Sequence, residues 1–168
     1  FHPNQQMKVR GSFASGKRDG KLQEWYANGQ LSLEVNFESG QRQGEAKKYF
    51  PSGIVALSEY YEADLLEKER KEWFENNKFR SDGTFVKGKK EGIHREWNEY
   101  GELLFETNYE ADLPNGLFKT WFGKNAPKEI ISYKNGKKHG KAQEFYENGK
   151  VKFDAVYNWS GARTRRWL

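Results

Sequence analysis

Every 24th residue from Gly16 falls on a small set of residue types: Gly40, Asp64, Gly88, Asp112, Gly136 and Ser160. Four residues further on, a second column reads Gly20, Gly44, Lys68, Gly92, Gly116, Gly140 and Thr164. Three more keep the same phase: Trp25, Tyr49, Trp73, Trp97, Trp121 and Phe145; Gly29, Gly53, Asn77, Gly101, Asn125 and Gly149; Phe37, Tyr61, Phe85, Tyr109, Tyr133 and Tyr157. No insertion or deletion interrupts them. A fixed period of this length marks a repeat architecture, in which each unit is one supersecondary element that cannot bury its apolar face alone.

The substitutions within the columns carry conformational information. Where Gly is replaced, Asp or Asn usually stands in, and these are the residues that best tolerate a left-handed backbone. The Gly columns therefore mark corners with positive φ, and two such turns per unit leave two strands of about seven residues. Each unit is a β-hairpin. The loops Ala27-Asn28-Gly29, Pro51-Ser52-Gly53, Glu75-Asn76-Asn77 and Glu147-Asn148-Gly149 read as three-residue loops with a bulge at the last position. Pro51 suits the first corner of a type I turn, whereas a two-residue loop would bury it in a strand.

That loop sets Trp25 opposite Leu31 and Gln23 opposite Leu33. One face of the first hairpin is then expected to carry Trp25, Leu31, Leu33, Val35 and Phe37, and the other Glu24, Tyr26, Ser32, Glu34 and Asn36. The fourth unit gives Ile93, Trp97, Leu103, Phe105 and Tyr109 against His94, Glu96, Glu106 and Asn108. The sixth puts Phe145, Val151, Phe153 and Tyr157 together. Residues 62–75, EADLLEKERKEWFE, have the intrinsic preference of a helix, but Trp73 and Phe85 hold their columns, so the period predicts strand here too.

The expected fold is all-β: an elongated single-layer antiparallel β-meander, twisted and curved. Its repeats span 9–168 after an N-terminal extension, 1–8. The units lie near 16–39, 40–63, 64–87, 88–111, 112–135, 136–159 and, in part, 160–168. Arg163, Arg165, Arg166 and Trp167 open that last, unfinished unit. About 13 strands at ~4.8 Å spacing give a sheet on the order of 60 Å long, which should curl toward its aromatic face.

Composition fits a thin structure. Only 35% of residues are apolar and 32% are charged, yet there are six Trp, nine Tyr and twelve Phe. Disordered chains are poor in aromatics, and large rings shield much area from one side of a sheet. The net charge is +5, with basic and acidic residues interleaved. The absence of Cys excludes disulfides, thiolate metal sites and a Cys nucleophile. The longest aliphatic run, Ile54-Val55-Ala56-Leu57, is far too short to span a membrane. Beginning at Phe1, the sequence suits a mature form, cytoplasmic or of the bacterial envelope.

The order Gly-x-x-x-Gly, an aromatic pair, Asn-Gly, then alternating apolar residues ending in an aromatic resembles the MORN repeat variant. GKKHGKAQEFYENGKVKFDAVY, from Gly136 to Tyr157, is the cleanest copy. Units 64–87 and 112–135 depart most, with Asp64, Lys68, Asn77, Asp112, Asn125 and Pro127. Bacterial chains built wholly of such units resemble the YwqK family of antitoxin or immunity proteins. The resemblance implies direct binding and neutralisation of a protein toxin; other similar chains are envelope lipoproteins or scaffolds that touch phospholipid.

No catalytic or metal-binding constellation is legible. His94 and His139 stand in different columns, lack metal-ligand spacing and are expected to face solvent. Gly136 to Ala142 resembles a phosphate loop only superficially, since the glycines are too close and no Ser or Thr follows the Lys. Glu24, Lys48, Glu72, Glu96, Thr120 and Glu144 form a column expected on the charged face, paired across strands. Asn158-Trp159-Ser160 matches a glycosylation acceptor by chance composition. No cofactor is expected.

Two features exceed a solvated sheet. A basic edge at the unit-joining turns comprises Lys17, Arg18, Arg42, Lys89, Lys90, Lys137 and Lys138, interspersed with Leu65, Leu66, Leu113 and Pro114. It suits weak contact with anionic lipid. Tyr-Glu-Ala-Asp-Leu recurs at 61–65 and 109–113, a superimposed period of 48. The second feature is the aromatic trough, formed by the column Trp25 to Phe145 and the column Phe37 to Tyr157. A single layer cannot bury all these rings, so the trough is the expected site for a protein partner. Nucleic acid fits less well, because Glu45, Glu59, Glu69 and Glu129 stand among the trough walls. The function expected is a non-enzymatic protein-binding module, toxin-neutralising by resemblance; the alternative is an envelope-associated scaffold without a toxin partner.

Overall fold

A computed structural model describes residues 1–164. Arg165, Arg166 and Trp167, which the sequence places in the unfinished unit, lie outside the described residues. Among the described residues there is no helix, and the strands form an open antiparallel meander of hairpins. Contacts divide the chain into two units: Phe1–Phe79 with Phe85–Gly88, and Arg80–Thr84 with Lys89–Leu168.

The first unit contains β1 (Val9–Arg10), β2 (Phe13–Ala14), β3 (Lys17–Arg18), β4 (Gly20–Trp25), β5 (Leu31–Glu38), β6 (Gln41–Tyr49), β7 (Val55–Glu62) and β8 (Leu65–Trp73). β9 (Phe79–Val86) supplies residues to both. The second contains β10 (Lys89–Trp97), β11 (Leu103–Glu110), β12 (Leu113–Gly123), β13 (Ala126–Lys134), β14 (Lys137–Phe145), β15 (Val151–Tyr157) and β16 (Arg163–Thr164). β2 and β3 pair with each other; the remaining strands follow one another in sequence order, with β1 at one end. The helix-rich composition of 62–75 does not prevail. β8 pairs with β7 through Leu57↔Glu72, Ser58↔Lys71 and Tyr61↔Leu66, so partners across the ladder override local preference.

Two kinds of corner alternate. Within hairpins the loop has three residues: the Tyr26 N–H donates to the Gln30 carbonyl (2.8 Å) and the Gly29 N–H to the Tyr26 carbonyl (2.9 Å), with Gly29 at φ 85°. Phe50–Ile54, Phe74–Lys78, Asn98–Glu102 and Tyr146–Lys150 repeat this pair of bonds. Between hairpins the turn has two residues, both left-handed: Ser39 and Gly40 at φ 51° and 92°, Ala63 and Asp64 at 48° and 69°. This is the turn whose twist matches that of the flanking strands. The fifth unit departs, closing its hairpin on Lys124 and Asn125 with positive φ at both. The last turn departs the other way. Asn158–Ala162 is a three-residue loop where unit-joining turns have two.

The second glycine column is not at a turn. Gly44 lies within β6 at φ 81°, where the register with β5 shifts between Val35 and Phe37. It is a bulge, and it faces the fifth column: Gly20↔Phe37, Gly44↔Tyr61, Gly92↔Tyr109, Gly116↔Tyr133 and Gly140↔Tyr157.

The core is one row per unit. In the first, pairing runs Leu22↔Val35↔Ala46↔Glu59 and continues through the Glu59–Arg70 ion pair. Leu22, Val35, Ala46 and Tyr61 are buried, with Leu33, Phe37 and Leu66 packed against them. In the second, the row is His94↔Thr107↔Phe118↔Ile131↔Ala142↔Ala155. All but Phe118 of these are buried, Ala155 completely. Small side chains suit a row where successive strands approach on the same face.

The expected face assignment fails at one point. Trp25 does lie opposite Leu31, but Leu33 lies opposite Glu24, not Gln23, because the register shifts between Glu24 and Trp25. Ser32 is the extra residue of a bulge. Along β4 successive side chains alternate, so Leu22 and Glu24 share one face and Gln23 and Trp25 the other. The same shift recurs between Lys48 and Tyr49, Glu96 and Trp97, and Glu144 and Phe145. Two expectations are thereby corrected. The Trp25-to-Phe145 column and the Phe37-to-Tyr157 column are on opposite faces, not in one trough. The column Glu24, Lys48, Glu72, Glu96, Thr120 and Glu144 shares the face of the core row.

Candidate functional site: two faces and a basic edge

On the core face, the ring column is largely consumed by structure. Tyr61 is buried, and the Arg42 guanidinium stacks over its ring at 4.0 Å from the centroid. Its hydroxyl donates to Glu59 Oε2 (2.8 Å), and Arg70 Nε donates to Glu59 Oε1 (2.8 Å) and a further nitrogen to Glu72. Burial and the neighbouring Glu59 carboxylate push the Tyr61 hydroxyl up to about 12. Burial opposes the charge on Arg70, but its bonds to Glu59 and Glu72 leave its affinity for the proton raised.

The basic edge serves these rings. Arg18 stacks over Phe37, Lys90 over Tyr109 and Lys138 over Tyr157, at 5.4, 4.8 and 5.6 Å. Each cation caps the ring 19 residues ahead. Where the edge carries Leu66 or Pro114, that cap is replaced by an apolar residue. Lys17, Lys89 and Lys137 instead remain exposed.

The period of 48 has a packing cause. The Lys17 Cβ lies 3.5 Å from where a Cβ would sit on Gly40, Leu65 Cδ2 3.6 Å from that point on Gly88, and Leu113 Cδ2 3.1 Å from it on Gly136. Asp64 and Asp112 follow Gln41 and Lys89 instead. Asp64 Oδ1 accepts from Arg42 N–H (3.0 Å) and Nε (2.8 Å), and Asp112 Oδ1 accepts from Lys90 N–H (2.8 Å). These bonds to Arg42 hold the Asp64 carboxyl below its usual range. Leu113 over a turn thus goes with Gly in the next, and Pro114, lacking an N–H, could not have served an Asp there.

The opposite face combines rings with charge. Trp25 pairs with Leu31, Tyr49 with Val55, Trp97 with Leu103, Trp121 with Pro127 and Phe145 with Val151. Trp73 stacks on Phe79 at 5.6 Å. All six rings of the column are half-buried. Beside them in the first unit, Glu34 accepts from Lys21 (2.9 Å) and Gln23 (2.8 Å), and Lys47 pairs with Glu45 (2.7 Å). The bond to Lys21 draws the Glu34 carboxyl down. In the second unit, Arg95 Nε donates to Glu106 Oε2 (2.9 Å) and Lys119 lies 3.3 Å from Oε1, which holds that carboxyl low.

The expectation that His94 faces solvent is also corrected. It is 7% exposed, in the core row. Its Nε2 is 2.9 Å from the Thr84 carbonyl, and its ring meets Tyr109 edge-on at 5.0 Å. Burial lowers its proton affinity. His139 rests against Trp159, with ring centroids 4.1 Å apart. Among the described residues, no group of three or more His, Asp or Glu is placed to hold a metal ion.

Three stretches match the model of the MORN repeat variant: residues 18–39, 42–63 and 138–158. Each covers the two strands of one hairpin and the three-residue loop between them. The chain carries MORN-variant repeats at these three places. No curated protein matches the chain. MORN repeats are generally binding modules, for proteins or membranes, rather than catalysts. No helix among the described residues is long and apolar enough to cross a membrane.

Proposed function

We propose that this MORN-repeat chain is a non-enzymatic protein-binding module whose contact face is the one bearing Trp25, Tyr49 and Trp73 in the first unit and Trp97, Trp121 and Phe145 in the second. The observation that carries the reading is the division of labour between faces. Phe37, Tyr61, Tyr109, Tyr133 and Tyr157 face bulge glycines, and Phe37, Tyr61, Tyr109 and Tyr157 are capped by cations. The Trp column has one apolar cross-strand neighbour per ring and lies among ion-paired Lys, Arg and Glu. Rigid half-buried rings set among charges are the composition of an interface core with a polar rim. The resemblance to toxin-neutralising proteins makes a protein toxin the first partner to try, with occlusion of its active surface as the mode of action.

The test compares faces. Trp97→Ala with Trp121→Ala should weaken binding to a captured partner at least tenfold, whereas Tyr109→Phe on the other face should leave it unchanged, with circular dichroism confirming the fold. Equal affinity for the Trp variants would reject the face.

A second reading, a membrane-proximal scaffold, is favoured by one specific observation. In the second unit Lys89 and Lys137 are exposed in the same column as Leu113, which is 49% exposed. Such a stripe suits anionic headgroups. Flotation with anionic vesicles that is lost on Lys89→Glu and Lys137→Glu would support it; no flotation would reject it.

A further inference from the structure

The N-terminal residues carry the geometry of one more half-unit. The His2 N–H donates to the Gln6 carbonyl (2.8 Å) and the Gln5 N–H to the His2 carbonyl (2.9 Å), with Gln5 at φ 64°. These are the bonds of the loop at Tyr26–Gln30, 24 residues later. Pro3 stands 48 residues before Pro51, and Asn4 occupies the place of Asn28. His2 Nε2 lies 2.7 Å from the Trp25 carbonyl, just as the Tyr26 hydroxyl reaches the Tyr49 carbonyl at 2.7 Å. The segment from Val9 through Ala14 then runs as the second strand of a hairpin: Val9↔Glu24 and Phe13↔Arg18 repeat Leu33↔Lys48 and Phe37↔Arg42.

Trp25 N–H donates to the Lys8 carbonyl and Asp19 N–H to the Ser12 carbonyl, so Lys8 and Ser12 turn their backbone groups inward. By alternation Val9, Gly11 and Phe13 aim theirs outward, at the end of the strand order. Such a row is a template for another strand. The side chains tell the same story. Phe13 holds the place of Phe37, but it has no facing bulge glycine and no capping cation, and it is 67% exposed; Val9 is 50% exposed. Leu22 already lies over Gly11, 3.0 Å from where a Cβ would be, so the space opposite Gly11 admits only a small residue.

We propose that this edge is a docking site for one further first strand of the same repeat chemistry: a polypeptide segment reading cation-x-Gly-x-small, antiparallel to Val9–Phe13. The cation would cap Phe13, the glycine would form the bulge, and the small residue would face Gly11. Arg42-Gln43-Gly44-Glu45-Ala46 plays that part against Leu57–Tyr61, with Arg42 over the Tyr61 ring, Gly44 opposite Tyr61 and Ala46 opposite Glu59. The occupant is thus defined by continuity with an interface the chain uses internally, and the mode is strand addition.

A fluorescent peptide with the sequence of residues 41–50, QRQGEAKKYF, tests this by anisotropy with the full chain. Saturable binding is expected, weakened at least tenfold by Gly44→Val in the peptide or by Phe13→Ala in the protein. Val9→Pro removes an outward N–H that the fold does not use, and should abolish binding while circular dichroism is unchanged. No saturable binding, or equal binding by a scrambled peptide, would overturn the proposal. So would a dimer seen by light scattering that Val9→Pro dissolves, since the edge would then belong to a second copy of the chain.

Discussion

The imidazole of His94 occupies the volume that a side chain on Gly83 would need: a Cβ built there would sit 2.1 Å from Nδ1. Gly83 is buried, and its φ is not left-handed, so its lack of a side chain answers to packing and not to backbone conformation. Gly83→Ala should therefore destabilise the protein by about 2 kcal/mol or more, the scale of overpacking a tight core. His94→Ala in the same chain should recover part of that loss. Urea denaturation of the single and double variants measures the coupling.

Acid should act through the same ring. Burial lowers the folded-state proton affinity of His94 below that of the unfolded chain, so the unfolded state binds more protons in the interval between the two values. The stabilisation is complete above the ordinary histidine pKa of 6.5 and is lost as pH falls toward the lower folded value. Lys90 reinforces the shift and Asp82 opposes it. Thermal melts between about pH 7 and pH 5 should show a falling midpoint, and His94→Gln should flatten that slope. A second loss, from Glu34 and Glu106, belongs to the carboxylate range below 4.5.

Arg70 holds two carboxylates, and the Glu59 side chain is only 14% exposed. Arg70→Met should cost about 2 to 3 kcal/mol, because it leaves a half-desolvated charge unpaired. Replacing both partners, Glu59→Val with Arg70→Leu, should come much closer to the parent, since most of the single-variant loss is the stranded carboxylate. Chemical denaturation of the three chains separates these outcomes.

Turn glycines should not be equivalent. At Gly16, φ is 76° and nothing lies within 4 Å of a built Cβ; at Gly136, φ is also 76° but Leu113 is 3.1 Å away. Gly16→Ala should cost about 1 kcal/mol, the left-handed penalty alone. Gly136→Ala should cost clearly more, and Leu113→Ala should remove the excess.

The corners were legible because their chemistry is local. Gly, Asn and Asp at fixed spacing announce positive φ, and Pro51 selected the three-residue loop that the Phe50–Ile54 bonds display. The faces were not legible beyond the bulge. A period of 24 fixes which residues recur, but not that Ser32 is the unpaired one, and a single extra residue moves Trp25 to the other side of the sheet. Burial of His94 was hidden for a different reason: its cause is Gly83, in a different column on the neighbouring strand. The half-unit at His2–Gln6 escaped because Gln5, not Gly or Asn, takes the left-handed corner. The spacing from Pro3 to Pro51 was the available signal.

The alternation at the unit-joining turns restricts how such a chain can change length. Excising 88–111 would slide Asp112 under Leu65, setting a carboxylate on a methyl group; excising 112–135 would bring Gly136 beneath Lys90 and strip its amide of an acceptor. Removing 64–111 or 88–135 preserves every match. Gene duplication and loss in this lineage would accordingly be tolerated best in steps of two hairpins, making the pair the heritable module.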